Sequence, residues 1–236
     1  MLWFKEELQK INQKVEDWEN ITVARYWDGE KMLMSWQTVW ENTQARRQDK
    51  WMSKWMTLLW EDLLKTLDIV DDRYIYAIPC KCCNQQVKQR YIDNLKTKNY
   101  SFANIFINWN YQTFKRRMEN TKKTFNLIVN HEWLNKKYPF NTKEIYTVGD
   151  DCVNFYKDNK EKIIKEIRKK AKNSSNEIFL ISAWPLANIF VYEMFKTNPN
   201  NTYLDVWSAL DEYTKQKITR WFQRPWDFYS QRICQF

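Results

Sequence analysis

Scarcity of glycine is the feature of this sequence that most restricts how the chain can fold. The 236 residues include two glycines, Gly29 and Gly149, and five prolines. Tight turns between antiparallel strands use glycine because it adopts positive φ at no steric cost. A chain with so few glycines is therefore not expected to form an all-β fold. We predict an all-α fold class, a bundle of long helices joined by few loops.

The strongest helical pattern runs from Asp49 to Leu67. Its apolar residues form two adjacent rows with a spacing of four, the wide apolar stripe of a helix that packs on a core. The residues of the stripe are Trp51, Met52, Trp55, Met56, Leu59, Trp60, Leu63, Leu64 and Leu67. This pattern predicts a core helix.

Weaker patterns predict helices over most of the remaining chain, at about residues 2–18, 31–47, 84–95, 102–133, 150–172 and from 204 onwards. Tyr74–Ile78, which leads to Pro79, is predicted to be either extended or a last helical turn. The longest apolar stretch, Ile178–Met194, contains a proline and a glutamate. We interpret it as a buried helix and not as a membrane span.

Breaks in these patterns divide the chain into three predicted parts. A turn signal at Asp28-Gly29 ends an N-terminal helix, and a further break lies near Gly149. The predicted parts are an N-terminal helix (1–28), a helical core (29–150) and a helical C-terminal extension (151–236).

Charge and cysteine content indicate an intracellular protein. The formal net charge of +9 permits weak, salt-sensitive contact with nucleic acid, although acidic residues are interspersed among the basic ones. The first residues lack the apolar core of a signal peptide, and no apolar stretch is long enough to span a membrane. Five cysteines, three of them crowded together, do not resemble the disulfide framework of a secreted protein.

The cysteine cluster at residues 80–83 is the strongest candidate for chemistry. Cys80 and Cys83 form a C-x-x-C pair, which at the start of a helix would share one face. A helix N-terminus also stabilises a thiolate. This arrangement predicts a disulfide between the two and a redox role, with Cys82 dispensable. A zinc site is the alternative, with further ligands drawn from Cys82, Cys152, Cys234 and His131.

Three sequence features, taken in order, resemble a known family. The first is Trp36-x-x-x-Trp40, and the second is Pro79 followed by the C-x-x-C pair. The third is the segment from Phe125 to Asn130, followed by Leu134-Asn135-Lys136-Lys137. Together they resemble the Erv/ALR family of FAD-linked sulfhydryl oxidases. The Asn/Lys/Ile-rich composition suggests a divergent viral member, similar to the baculovirus-type oxidases of that family.

The resemblance implies a specific chemistry. In this family a helical bundle holds FAD beside the cysteine pair, so Cys83 would pass electrons to the flavin and Cys80 would exchange with protein thiol substrates. The FAD site would be lined by Trp36, Trp40, Asn126, Val129, Asn130 and Lys136. The expected activity is oxidation of protein thiols by oxygen, and the family suggests a homodimer.

A second hypothesis keeps the helical fold without an enzymatic activity. In it, the chain is a basic, tryptophan-rich viral accessory protein that binds nucleic acid or a host protein. Its cysteines would be structural or zinc-bound. The 14 tryptophans are compatible with either hypothesis, because tryptophan serves both core packing and binding.

Overall fold

The computed structural model describes residues 2–17, 19–27, 30, 59–131, 138–149 and 151–224. This part of the chain forms an α/β fold built on one seven-stranded sheet. The prediction of an all-α helical bundle with an Erv-like core and a helical C-terminal extension is therefore wrong.

All adjacent strands of the sheet run parallel, in the order β3-β2-β1-β7-β6-β4-β5. The strands are β1 (Thr22–Arg25), β2 (Tyr74–Ile78), β3 (Tyr100–Phe102), β4 (Thr124–Val129), β5 (Asn141–Thr147), β6 (Ile178–Ser182) and β7 (Thr202–Asp205). Strands from the predicted parts 1–28, 29–150 and 151–236 all join this one sheet.

Helices connect and flank the strands. They are α1 (Leu2–Glu16), α2 (Lys81–Asn94), α3 (Tyr111–Asn120), α4 (Cys152–Lys172), α5 (Ala187–Thr197) and the single turn α6 (Asp211–Thr214). Residues 59–65 are also helical and lead into a 3-10 turn, Thr66–Asp68. The helices predicted near 2–18, 84–95 and 150–172 are confirmed as α1, α2 and α4, whereas the one predicted at 31–47 lies outside the described residues.

Scarcity of glycine argues against antiparallel folds but is compatible with parallel strands. Antiparallel hairpins need tight turns, but parallel strands are joined by crossovers that return the chain to the same edge, usually through a helix. Such connections place few residues at positive φ. Gly149, which follows β5, has a φ of 86°. A parallel α/β fold is therefore compatible with two glycines.

Three wrong helix predictions share one cause. Parallel strands that are covered on both faces appear as continuous apolar runs, which periodicity cannot distinguish from buried helix. All residues of β6 are buried, as are all but the first residue of β4. The helix predicted at 102–133 instead contains α3 and β4, the one at Ile178–Met194 begins with β6, and the one from 204 begins within β7.

Apolar clusters cover both faces of the sheet. Along β6, Phe179 and Ile181 belong to one cluster while Ile178 and Leu180 belong to the other, as expected when side chains alternate between faces. The first cluster includes residues of α2, α4, α5 and the helical residues 59–65, and the second includes residues of α1 and α3. Within the described residues, no helix is both long and apolar enough to cross a membrane.

Candidate functional site

A cleft lies at the carboxyl edge of the sheet, where the chain leaves β4, β6 and β7. β4 and β6 are neighbours, but the chain continues from β4 outward to β5 and from β6 inward to β7. Ligands of open α/β sheets bind in the crevice at such a switch point. The cleft is lined by Asn130, His131, Ser182, Trp184, Trp207, Ser208, Asp211, Thr214, Lys215 and Arg220.

Trp207 has a strained backbone at the centre of this cleft. Its φ of 49° places a bulky side chain in the left-handed region, which such residues rarely adopt. The strain is held by its N–H, which donates to Oδ1 of Asp205 at 3.0 Å, and by its carbonyl oxygen, which accepts from the Ser182 hydroxyl. Backbone strain of this kind clusters at functional sites.

Beneath Trp207 lies a group of three buried charges, Arg25, Glu30 and Asp205. The Arg25 guanidinium is 4.2 Å from the centre of the Trp207 ring and donates from Nε to the Ala103 carbonyl at 2.6 Å. The charge of Arg25 acts on both carboxyl groups, Glu30 and Asp205. Two buried acids that share one base do not both ionise at low cost.

The two carboxyl groups titrate unusually. Burial raises the pKa of Asp205 to about 7, although the nearby Arg25 charge opposes this shift. Burial also raises the pKa of Glu30, with Arg25 again opposing. Glu30 accepts hydrogen bonds from the Trp27 backbone N–H at 2.8 Å and from Nε1 of Trp184 at 2.6 Å. The buried carboxyl group of Asp205, which accepts from the Trp207 backbone N–H, therefore has a pKa near neutral pH.

Positive charge surrounds the mouth of the cleft. The exposed Arg220 guanidinium is 4.8 Å from the centre of the Trp207 ring. Lys215 lies 3.5 Å from a carboxylate oxygen of Asp211, which also accepts a hydrogen bond from the Thr219 hydroxyl at 2.7 Å. Two cationic side chains and one carboxylate thus line the opening, and the excess positive charge favours an anionic ligand.

Two buried polar atoms at the cleft have no hydrogen-bond partner within the described part of the chain. They are the hydroxyl of Ser208, a residue only 5% exposed, and the side-chain oxygen of Asn130. The other side-chain atom of Asn130, Nδ2, donates to the Trp184 carbonyl at 2.9 Å. Buried polar groups are normally paired, so these two atoms are candidates for contact with a ligand.

The enclosed space of the cleft is small. Its volume is about 90 Å³, well below the roughly 300–1,000 Å³ of typical small-molecule sites. A phosphate group fits this space, whereas a whole nucleotide would have to extend outward from it.

The predicted catalytic cysteines do not line this cleft, although they follow β2 at the same edge of the sheet. Cys80, which is buried, precedes α2, and the exposed Cys83 accepts a long hydrogen bond of 3.7 Å from Nδ2 of Asn104. The predicted disulfide between the two and their redox role stay predictions. In the ranges that the structure describes, no group of three or more His, Cys, Asp or Glu side chains is placed to hold a metal ion.

Three of the six residues predicted to bind FAD lie in or directly after β4. Asn126 is buried within β4 and donates to Glu177 at 2.7 Å, and Val129 is the last residue of β4. Asn130 does lie in the cleft. Trp36, Trp40 and Lys136 fall outside the described residues.

The sequence patterns did not indicate Arg25, Trp207, Ser208 or Arg220. The signal that could have identified the first three is their position at or just after the carboxyl end of a buried strand. That signal becomes visible only when the short apolar runs are interpreted as parallel strands. Arg220 lies further from β7 in the sequence, and no local pattern marks it.

Comparison with known proteins identifies the fold. No protein-family model and no curated protein matches the chain. Two solved structures of a domain of unknown function, number 1792, are similar to it. One is described as having a distinct glycosyltransferase fold and is 16% identical, with a TM-score of 0.55 over 87% of this chain and 78% of that chain. The other, a selenomethionine-substituted form, is 15% identical with the same TM-score and coverage.

This likeness shows the fold, and it overturns the family resemblance. A glycosyltransferase-like fold with a parallel sheet is not the helical bundle of Erv/ALR oxidases. The identification as an FAD-linked thiol oxidase, viral or otherwise, is therefore wrong. The alternative of a non-enzymatic helical accessory protein finds no support either, because it assumed the same helical fold.

Proposed function

We propose that this protein is a glycosyltransferase that holds the phosphate groups of a nucleotide-sugar donor in the cleft at the carboxyl edge of its sheet. The observation that carries the proposal is the set of groups around Trp207. They are a strained backbone, cations that line the cleft and a buried hydroxyl that has no partner among the described residues. The description of one structural neighbour as having a glycosyltransferase fold supports the reaction class.

The phosphate groups have suitable partners in the cleft. The Arg220 guanidinium can bind phosphate oxygens through two parallel hydrogen bonds, and Lys215 adds a second positive charge. The Ser208 hydroxyl would donate to a phosphate oxygen, which would satisfy a group that has no partner within the described chain. The sugar and the base would then extend outward, since the enclosed volume fits only a phosphate-sized group.

The transfer step uses the same charges. An acceptor hydroxyl oxygen forms a bond to the anomeric carbon of the sugar while the bond from that carbon to the diphosphate breaks. The electron pair of the broken bond leaves with the diphosphate, whose added charge Arg220 and Lys215 stabilise. The proton of the acceptor hydroxyl passes to a carboxylate. Asp211, which lines the cleft, would supply that carboxylate.

A donor screen tests this proposal. The purified protein is incubated with a panel of nucleotide sugars, with water or simple sugars as acceptors, and released nucleoside diphosphate is measured by chromatography. We expect turnover of one donor, and we expect Arg220→Ala to lower kcat/KM by about 100-fold, the scale for loss of a group that stabilises developing charge.

The matched control is Arg116→Ala, which removes an exposed arginine of α3 that does not line the cleft. It should leave turnover within twofold of the parent. Absence of turnover with every donor would overturn the proposal, as would an Arg220→Ala protein as active as the parent.

A further inference from the structure

A second concave site lies beside α4 and α5. Residues of the helical segment 59–65, of α4 and of α5 surround a groove with a volume of about 520 Å³. This volume is within the range of small-molecule sites, roughly 300–1,000 Å³. The groove shares no lining residue with the carboxyl-edge cleft. It is lined by Asp62, Lys65, Tyr156, Lys160, Glu161, Ile164, Lys165, Arg168, Tyr192, Glu193 and Lys196.

The groove carries an excess of positive charge. Five of its lining residues are cationic and three are carboxylates, which leaves a net charge of +2. The cations come from three different helical segments, so they converge by folding and not only by sequence proximity. Convergent like charges repel one another, and an anionic ligand relieves this repulsion.

Some of these charges are already paired inside the groove. Asp62 accepts from Lys160 at 2.5 Å, from Lys65 at 3.3 Å and from the Tyr156 hydroxyl at 3.1 Å. Burial would raise the pKa of Asp62, but the hydrogen bond and charge of Lys160 lower it, so this carboxylate stays ionised. Arg168 pairs with Glu193 at 2.6 Å.

Two lysines remain without an acidic partner among the described residues. Within the described ranges, Lys165 makes no ion pair and the Lys196 ammonium donates only to the Tyr192 hydroxyl, at 3.2 Å. The Lys196 ammonium also lies 5.0 Å from the centre of the Tyr192 ring. Both side chains are exposed and line the groove. They are the charges that a ligand would neutralise.

We propose that this groove binds a small polyphosphate-bearing molecule, with Lys165 and Lys196 as its principal contacts. Lysine ammonium groups bind phosphate as point charges, and the net charge of +2 matches a ligand with two or more negative charges. The Tyr192 ring offers an apolar surface beside those charges. The site is separate from the proposed donor cleft and does not depend on the transfer activity.

Calorimetric titration with inorganic tripolyphosphate tests the site. Because the donor cleft could also bind this probe, the titration uses the full-length Arg220→Ala protein. We expect saturable binding that weakens as salt rises. The double variant Lys165→Gln/Lys196→Gln should weaken binding by about tenfold, equivalent to ~1.4 kcal/mol.

The matched control is Lys157→Gln/Lys172→Gln, which removes two exposed lysines of α4 that do not line the groove. It should change the Kd by less than twofold. If both double variants weaken binding equally, the probe binds to diffuse surface charge and the proposal is overturned. Absence of binding in the Arg220→Ala protein would also overturn it. Donor turnover by the parent tests the proposed transferase activity and has no bearing on this groove.

Discussion

The amino ends of the parallel strands form one edge of the sheet, the amino edge, and their carboxyl ends form the carboxyl edge. The polar side chains at these two edges differ in charge and in hydrogen bonding. At the amino edge, neutral asparagine amides bond to the chain itself. Asn99, which precedes β3, donates to the carbonyl groups of Asp72 and Tyr74, both at 2.9 Å. Asn201, which precedes β7 and is fully buried, donates to the Ala171 carbonyl at 3.2 Å and accepts from the Glu177 backbone N–H at 3.0 Å.

At the carboxyl edge, by contrast, the chain holds buried charges and a strained residue. Arg25 faces two carboxyl groups, Trp207 has positive φ, and the Ser208 hydroxyl has no partner within the described chain. Under the proposed function, the amino edge serves stability while the carboxyl edge serves binding. Mutations at each of the two edges test this difference.

Removal of the buried cation should have the largest effect. Arg25→Met would leave Glu30 and Asp205 buried without their base, and we expect unfolding free energy at pH 8 to fall by about 4 kcal/mol. Urea denaturation measures this loss. The control Arg73→Met, at an exposed arginine before β2, should cost less than about 1 kcal/mol. Equal losses would contradict a special role for the charges at the carboxyl edge.

Stability should also depend on pH through Asp205. Its pKa rises from 3.8 to about 7 on folding, so the folded state binds an extra proton between these values. This stabilising contribution is complete below pH 4 and is lost as pH rises through 7, a change of about 4 kcal/mol. Asp205→Asn should flatten the dependence, although Glu30 adds a slope of the same sign. An unchanged slope in the variant would show that Asp205 is not responsible.

An amino-edge variant should lose stability without losing function. Asn201→Ala removes an amide that satisfies buried backbone groups, and we expect a loss of about 2 kcal/mol in unfolding free energy. Ligand binding at the cleft should remain within twofold of the parent, as measured by calorimetry at a temperature where both proteins are folded. Weakened binding would mean that the two edges are not separate in role.

The smallest stability effect should have the opposite sign. Ser208→Ala removes a buried hydroxyl that has no partner in the described chain, and we expect the unfolding free energy to rise by about 0.5–1 kcal/mol. The same variant should bind a phosphate-bearing ligand more weakly. Thermal denaturation and titration of one preparation measure both changes. A destabilised variant would indicate that the hydroxyl has a structural partner.

The long helices could be predicted from the sequence because of their length. α1 and α4 have 15 and 21 residues, enough turns for an amphipathic pattern and for polar flanks to be visible. The strands have three to seven residues and, except for the two edge strands β3 and β5, are largely buried. A run of five buried residues such as β6 carries no period that distinguishes strand from helix.

The candidate site was harder still to predict, because it depends on strand order. Asn130, Ser208 and Arg25 follow or end strands that are far apart in the sequence, and only the pairing of β1, β7, β6 and β4 brings them near one another. Asn130 was selected for a family resemblance that proved wrong. The C-x-x-C pattern at Cys80 and Cys83 is local and conspicuous, but spacing alone did not indicate what surrounds it.

The central claim is that the cleft at the carboxyl edge binds the diphosphate of a nucleotide-sugar donor. Calorimetric titration with uridine and guanosine diphosphates tests it most directly, on the parent, Arg220→Ala and Asn201→Ala proteins. The account predicts saturable binding of one nucleotide to the parent, at least tenfold weaker binding to Arg220→Ala and unchanged binding to Asn201→Ala. Absence of binding to the parent, or binding that survives Arg220→Ala undiminished, would contradict the account.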